Sequence, residues 1–309
     1  MSEVEKISLL GLAYELGKLC DIQDLSELRS DDKVLETLLK LGLEKYSKSN
    51  LSGVEMAYNS AQRTIKESSV EKSEIDVLLY ATDRDSGLNN REDASHIISK
   101  LELKCAYPIG ISFSGSGNLH TALRIATSFV KAGECKNVLI ITTSKFEEGS
   151  SRLIPPNISI QSDAAASCIV SSTVKGEFEI VKTIQHSDAR MIDIDPVNQL
   201  TKYFEYVAKG IEKTISELMS SLKKVPEDFC KLITNNYNLS VNGTIRTLSG
   251  FSEEQSFTEN ISRFAHAVAA DNLINLSDLS NNNLIQKDGL ALLLGTGPNT
   301  WGATALLKT

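Results

Sequence analysis

The residues able to do chemistry are few and widely separated. The segment Gly110–Ala126 reads GISFSGSGNLHTALRIA, and Ser116 stands between Gly115 and Gly117 where a strand pattern gives way to a helix pattern. Small neighbours permit a tight turn and close approach by a ligand. Amides at the start of the following helix favour developing negative charge. A hydroxyl in that place attacks a thioester carbonyl if a base is near. The pattern is not GxSxG, so a hydrolase-type nucleophile elbow is not indicated. The same letters also fit a plain glycine-serine turn with Ser116 as a helix cap. His266, in ISRFAHAVAADNLINL, is a candidate base, and Asp271 follows five residues later. An aspartate bonded to the other ring nitrogen would fix the tautomer and stabilise the charged ring. Five residues is off the helical spacing of three or four, so the pair requires a non-helical stretch after His266. A lone histidine among alanines also fits a purely structural role.

The elements that must position these groups alternate between short apolar runs and longer helical patterns. Strands are expected at Ile7–Tyr14, Asp76–Ala81, Tyr107–Ser112, Asn137–Thr143 and Ala164–Ser171. Helices are expected at Val54–Ser68, Glu92–Leu101 and Asn118–Ala132. The second part repeats the idea. Phe178–Ile184 and Cys230–Thr234 read as strands, and Val197–Leu222 as one long helix or two abutting ones. Ile261–Leu279 is mostly helical, and Leu290–Leu294 and Ala303–Leu307 pair around GTGPNTWG. This is α/β alternation with helices long enough to cover a sheet. The serine- and asparagine-rich Leu276–Asn283 reads as a surface loop. A short polar joint near Ser172–Glu177 divides the chain into residues 1–173 and 174–309, which share no evident letter-level repeat.

Composition narrows the function class. The 309 residues carry a net charge of −8 and a pI near 5.2, which speaks against a general nucleic-acid binder or a surface drawn to anionic lipid. The five cysteines are odd in number, widely spaced and without a CxxC pair, the pattern of reduced thiols in a cytoplasmic protein. The N-terminal run is acidic and does not read as a secretory signal. No apolar stretch reaches the length of a membrane-spanning helix. His96, His120 and His186 are scattered, and there is no GxGxxG or P-loop. Neither a metal nor a tightly bound cofactor is expected.

Three segments together give the chain a resemblance to the thiolase-fold enzymes, in particular beta-ketoacyl-acyl-carrier-protein synthase III and its acyltransferase relatives. The strand, turn and helix of Gly110–Ala126 are similar to the segment that holds the family's nucleophilic cysteine, which falls at Ser116. SDAAASCIVSS at Ser162–Ser172 is similar to the family's GDGA segment. LLLGTGPNTWGATALLK at Leu292–Lys308 resembles the glycine turn, TWG and final strand that end the family's chains. The resemblance implies an α/β, thiolase-like five-layer α-β-α-β-α fold from two fused similar halves. It also implies a homodimer or a heterodimer with a related subunit, and acyl transfer with coenzyme A or the phosphopantetheine of an acyl carrier protein as donor.

The departures are as informative. In TNNYNLS, Asn235 replaces the histidine of the family's HQAN-like segment, and Asn238 matches its asparagine. In FAHAVAAD, His266 stands at the position of the family's second asparagine. An acyltransferase branch carries GH followed by Asp there, with Ala265 here in place of the glycine. The resemblance thus implies a Ser116, His266 and Asp271 triad, an oxyanion site of the Ser116 and Gly297 amides, and orienting roles for Asn235 and Asn238. With the usual His/Asn pair broken, transfer to an alcohol or amine is expected. The alternatives are a decarboxylating condensing enzyme or a non-catalytic partner of a cysteine-bearing homologue. The family's early coenzyme A segment is not recognisable in Asp21–Val34. An acidic carrier would require a local basic patch, for which Arg29, Lys33, Arg124, Lys209, Lys213 and Arg246 are available. The Asp83–Glu92 stretch occupies the family's interface-reaching region.

Overall fold

The computed structural model describes residues 6–29, 31–83 and 87–309. Parts of three segments named above lie outside the described residues: 1–5 at the N-terminus, Ser30, and 84–86 within Asp83–Glu92. Nine strands carry the architecture: β1 Ser8–Leu16, β2 Val77–Thr82, β3 Tyr107–Ile111, β4 Asn137–Ser144, β5 Ala164–Ser171, β6 Phe178–Ser187, β7 Phe229–Thr234, β8 Leu290–Thr296 and β9 Thr300–Lys308. Six helices cover them: α1 Gly53–Ser68, α2 Gly87–Leu101, α3 Asn118–Lys131, α4 Leu200–Leu222, α5 Leu239–Leu248 and α6 Asp271–Asn281.

The strand order is β7-β8-β9-β6-β1-β5-β4-β2-β3. From β1 outward, the first five strands in the chain run β1-β5-β4-β2-β3. From β6 outward the later strands run β6-β9-β8-β7, and an isolated parallel bridge from Leu232 to Ser256 marks the place of a fifth. The two parts therefore repeat one topology without repeating letters. They join where β1 and β6 pair antiparallel over a short register, Ser8 with Glu179 and Leu9 with Phe178.

The helices divide into three layers. α1 lies on β1, β5 and β4, with α2 beside it on β3 and β2, while α4 lies on β6 and β9 with α5 beside it. Between the sheets lie α3, which touches strands of both parts, and α6, which touches β1, β5, β7 and β8. The fold is thus thiolase-like, with five layers. β2 and β4 are buried along their whole length, as expected of strands covered on both faces. Separate apolar cores fill the outer interfaces, and a larger one fills the centre around Leu123, Phe178, Phe264 and Leu273.

Local chemistry sets several boundaries. Ser52 caps α1 in a reciprocal capping box with Glu55, and the helix ends in left-handed Ser69. The loop reading of Leu276–Asn283 is corrected: α6 continues to Asn281, and Leu276, Ser277 and Leu279 are buried. Earlier in the same helix, two buried asparagines bond strand-end carbonyls. Asn272 Nδ2 donates to Ile233 O at 2.9 Å, and Asn275 Nδ2 to Thr234 O at 3.1 Å. The short helix Asp32–Lys40 and α5 both lie in segments given no element by the sequence reading.

Candidate active site

Ser116 sits in the single turn of 3-10 helix Gly115–Gly117 that leads into α3. Gly115 has φ +50°, and a side chain there would press on the Pro298 ring, so the turn needs glycine at that position. His266 comes from a break between the helix Glu259–Phe264 and α6. Ala265 adopts φ +55° and ψ −136°, a glycine-type conformation, and Val268 also has positive φ. The break turns His266 toward Ser116 and folds the chain back, so that Asp271, first residue of α6, meets the same imidazole.

Ser116 Oγ lies 2.9 Å from His266 Nε2, and His266 Nδ1 bonds Asp271 Oδ2. With Nδ1–H donating to the carboxylate, Nε2 is the acceptor and the serine hydroxyl donates. The Asp271 carboxylate also accepts from Ala267 N at 2.7 Å and Asn236 N at 2.8 Å, with Asn236 Nδ2 at 3.4 Å. All three triad members are buried. Asn275 Nδ2 holds Asn236 Oδ1 at 2.8 Å, and Asn260 Nδ2 holds Asn275 Oδ1 at 2.8 Å. This line of neutral amides behind Asp271, beginning with Asn236, was not read from the sequence. A run of asparagines at loop and helix positions carries no signal that separates it from a solvated surface.

The remaining expectations fare differently. Asn235 Oδ1 accepts from Thr296 N at 3.0 Å and its Nδ2 donates to Val268 O at 3.0 Å. Asn238 Oδ1 caps α5 by accepting from Val241 N at 3.0 Å, and its Nδ2 donates to Asn157 O at 3.0 Å. One hydrogen of each Nδ2 is thus engaged with the backbone, and neither side chain is part of the cavity lining described below. Gly297 borders the cavity, yet its N–H donates to Thr300 O at 2.8 Å. The closing hairpin of β8 and β9 thus engages the Gly297 N–H that the oxyanion expectation calls on.

A cavity of about 730 Å³ opens beside Ser116 and His266. Tyr203 and Val207 of α4, Val241 and Ile245 of α5, Ile158 and Met191 form much of its apolar wall. Among the described residues, no Lys, Arg, Asp or Glu lines it, and none of the five cysteines reaches it. Tyr237, also missed in the sequence, projects into it with its ring centroid 4.9 Å from that of His266. Its hydroxyl donates to Thr296 O at 2.6 Å. Burial drives the phenol pKa upward, so it stays protonated.

The other histidine near Ser116 serves packing. His120, one helical turn along, lies across Gly302 and Gly295, where a side chain on either glycine would collide with its ring. Its Nδ1 lies 2.9 Å from Thr304 Oγ1, and burial lowers its pKa to about 3. It is a neutral core residue. Among the described residues, no three His, Cys, Asp or Glu side chains gather as a metal-binding group, and no helix is long and apolar enough to cross a membrane.

No model of a known protein family matches the sequence. Curated relatives do. Beta-ketoacyl-[acyl-carrier-protein] synthase III of Aquifex aeolicus is 23% identical over 259 residues, covering 81% of this chain and 82% of that protein. The Clostridium perfringens protein of the same name is 23% identical over 331 aligned positions, covering 99% and 100%. Among solved structures, the acyltransferase ChlB3 superposes with a TM-score of 0.86 at 14% identity, covering 98% of each chain. The Aquifex aeolicus synthase III superposes with a TM-score of 0.80 at 20% identity, covering 97% of this chain and 99% of that one. In sequence the chain is a distant relative of beta-ketoacyl-[acyl-carrier-protein] synthase III, and in structure it has the thiolase-like fold.

Proposed function

We propose that this protein is an acyltransferase that moves an acyl group from a carrier-protein or coenzyme A thioester through Ser116 to an alcohol or amine. The observation that carries the reading is the hydrogen-bonded line Ser116 Oγ, His266 Nε2, His266 Nδ1, Asp271 Oδ2 at the end of an uncharged cavity. A serine hydroxyl is almost wholly protonated near neutral pH and needs a base in contact. His266 takes its proton as Oγ attacks the thioester carbon. Collapse of the tetrahedral intermediate expels the thiolate, which receives that proton from Nε2 and leaves an ester on Ser116. The acceptor hydroxyl or amine then gives its proton to Nε2 and attacks the ester. The second collapse returns the proton to Ser116 Oγ. Asp271 stays ionised and stabilises the transient imidazolium.

The uncharged cavity suits an apolar acyl group or the neutral arm of phosphopantetheine, with the charged part of the donor outside. Lys209 and Lys213 stand on α4, the helix that lines the cavity, and are available to an acidic carrier, whereas Arg246 is paired with Glu253 at 3.4 Å. Residues 1–173 and 174–309, taken as two similar halves, contribute the nucleophile and the His/Asp pair respectively. The exposed edge strand β3, with Tyr107, and the nearly fully exposed Phe113 beyond it support pairing with a second copy or a related subunit.

Intact-protein mass spectrometry after exposure to acyl-coenzyme A and acyl-carrier donors tests the reading. The acyl mass should appear on Ser116 and vanish in Ser116→Ala. Acylation elsewhere, or none across the donor series, rejects it. Decarboxylating condensation is the second reading, favoured by the names of the sequence relatives. It predicts carbon dioxide from a malonyl donor, whereas the first reading predicts acyl ester or amide without it. Against condensation stands Asn235, which takes the place of the family's histidine and whose side chain bonds Val268 O and Thr296 N.

A further inference from the structure

The oxyanion formed on attack by Ser116 needs donors aimed at it. The Ser116 amide lies at the head of α3, but Gly297 N–H is held by Thr300 O, and neither Asn235 nor Asn238 is among the residues lining the cavity. His266 Nε2 is an acceptor in the resting state. Among the hydroxyl side chains that line the cavity, that of Tyr237 belongs to the ring packed against His266. That hydroxyl donates to Thr296 O at 2.6 Å while accepting from Thr296 Oγ1 at 3.1 Å. The ring is buried and packed against His266. The oxygen is thus fixed in place, and its hydrogen can be redirected by rotation about the Cζ–Oη bond alone.

We infer that Tyr237 is a catalytic residue, its hydroxyl leaving Thr296 O to donate to the acyl carbonyl oxygen as the tetrahedral intermediate forms on Ser116. The inference rests on the acyl-transfer reading. No proton leaves the phenol: the hydrogen bond moves to the oxyanion and returns to Thr296 O on collapse. A high phenol pKa keeps the donor neutral throughout the working range.

The experiment compares the full-length protein with Tyr237→Phe and with fluorinated tyrosines incorporated at position 237. The Ser116 acylation rate is measured by quench and intact mass against an acyl-coenzyme A series and the same acyl groups on carrier protein. Tyr237→Phe should lower the acylation rate constant about 10²-fold, the scale of one oxyanion donor, with little change in the half-saturating donor concentration. The fluorinated rings keep the shape and make a stronger donor, so their rates should rise with phenol acidity at pH values where they remain neutral. An acylation rate unchanged in Tyr237→Phe overturns the inference. So does a slow Phe variant without any trend across the fluorinated series, since a residue that merely braces Thr296 is indifferent to donor acidity. In both cases acylation of the unmodified protein leaves the acyl-transfer reading intact. Absence of acylation in the unmodified protein overturns both.

Discussion

Asp163, in the loop before β5, and Asp271, at the start of α6, are both fully buried aspartates, and they have opposite kinds of partner. Asp163 accepts from the amides of Ser49 and Phe146 at 2.8 and 2.9 Å, and from two cations, Lys145 at 2.9 Å and Arg152 at 3.2 Å. It ties the ribbon around Lys45–Lys48 to the loop after β4. Asp271 accepts from the amides of Ala267 and Asn236 and from one imidazole, with no cation on it. A lysine or arginine on Asp271 would neutralise the charge before His266 needed it. Neutral amides solvate the carboxylate without cancelling it, so its field is available to an imidazolium that forms only during reaction. The resemblance to a GDGA segment marks Asp163, and the resemblance to a histidine-aspartate branch marks Asp271. The partners decide which one does chemistry.

Removing each charge should separate the two roles. Asp271→Asn keeps the shape but removes the acceptor that fixes the Nδ1–H tautomer. Steady-state transfer should fall about 10⁴-fold, the scale for the orienting carboxylate of a triad, while thermal unfolding changes far less. If activity and stability fall together, Asp271 is a structural aspartate like Asp163. Asp163→Asn should leave per-molecule transfer nearly intact but cost about 3–5 kcal/mol, because Lys145 and Arg152 remain buried against a neutral amide. Urea unfolding reads that loss.

Acid titration sharpens the contrast. Burial alone would raise the Asp163 pKa, but the Ser49 and Phe146 amides, Lys145 and Arg152 outweigh it and hold it below its ordinary value of 3.8. The stabilisation is therefore complete above that value and is lost as pH falls through the lower folded-state pKa. Urea midpoints between about pH 5 and about pH 2 should show this acid arm in the unmodified protein and lose it in Asp163→Asn. An unchanged arm would remove Asp163 from the account.

The smallest effect belongs to the break before His266. Ala265 in a glycine-type conformation stores roughly 1–3 kcal/mol. Glycine relieves it, offset by about 0.4–1 kcal/mol of extra freedom in the unfolded chain. Ala265→Gly should raise stability by about 1 kcal/mol with transfer retained. Lowered stability would mean that the alanine methyl packs better than its backbone suffers.

Much of the frame is legible in the letters because buried strands such as NVLIITT are continuous apolar runs and their helices are amphipathic. The misreading of Leu276–Asn283 has a physical reason. Its Asn281, Asn282 and Asn283 are exposed where the helix ends, but Leu276, Ser277 and Leu279 before them belong to the buried face of α6. Ser116, His266 and Asp271 are legible as residue types, and the off-helix spacing of five foretells the break that joins them. Tyr237, Asn236 and the engaged Gly297 amide are not legible, since each depends on which loop faces which across the fold. A tyrosine in a loop gives no sign that its hydroxyl will meet Thr296, 59 residues away.

The separation of 150 positions between Ser116 and His266 carries a consequence for biosynthesis. Loop closure over such a span comes late, after the local contacts of each segment. During synthesis the nucleophile and its turn emerge long before the base does. Until Asp271 has left the ribosome and α6 has docked between the sheets, the serine has neither base nor orienter. On the proposed acyl-transfer function, the nascent chain is thus inert toward thioesters, and reactivity begins only when the two parts have closed on each other.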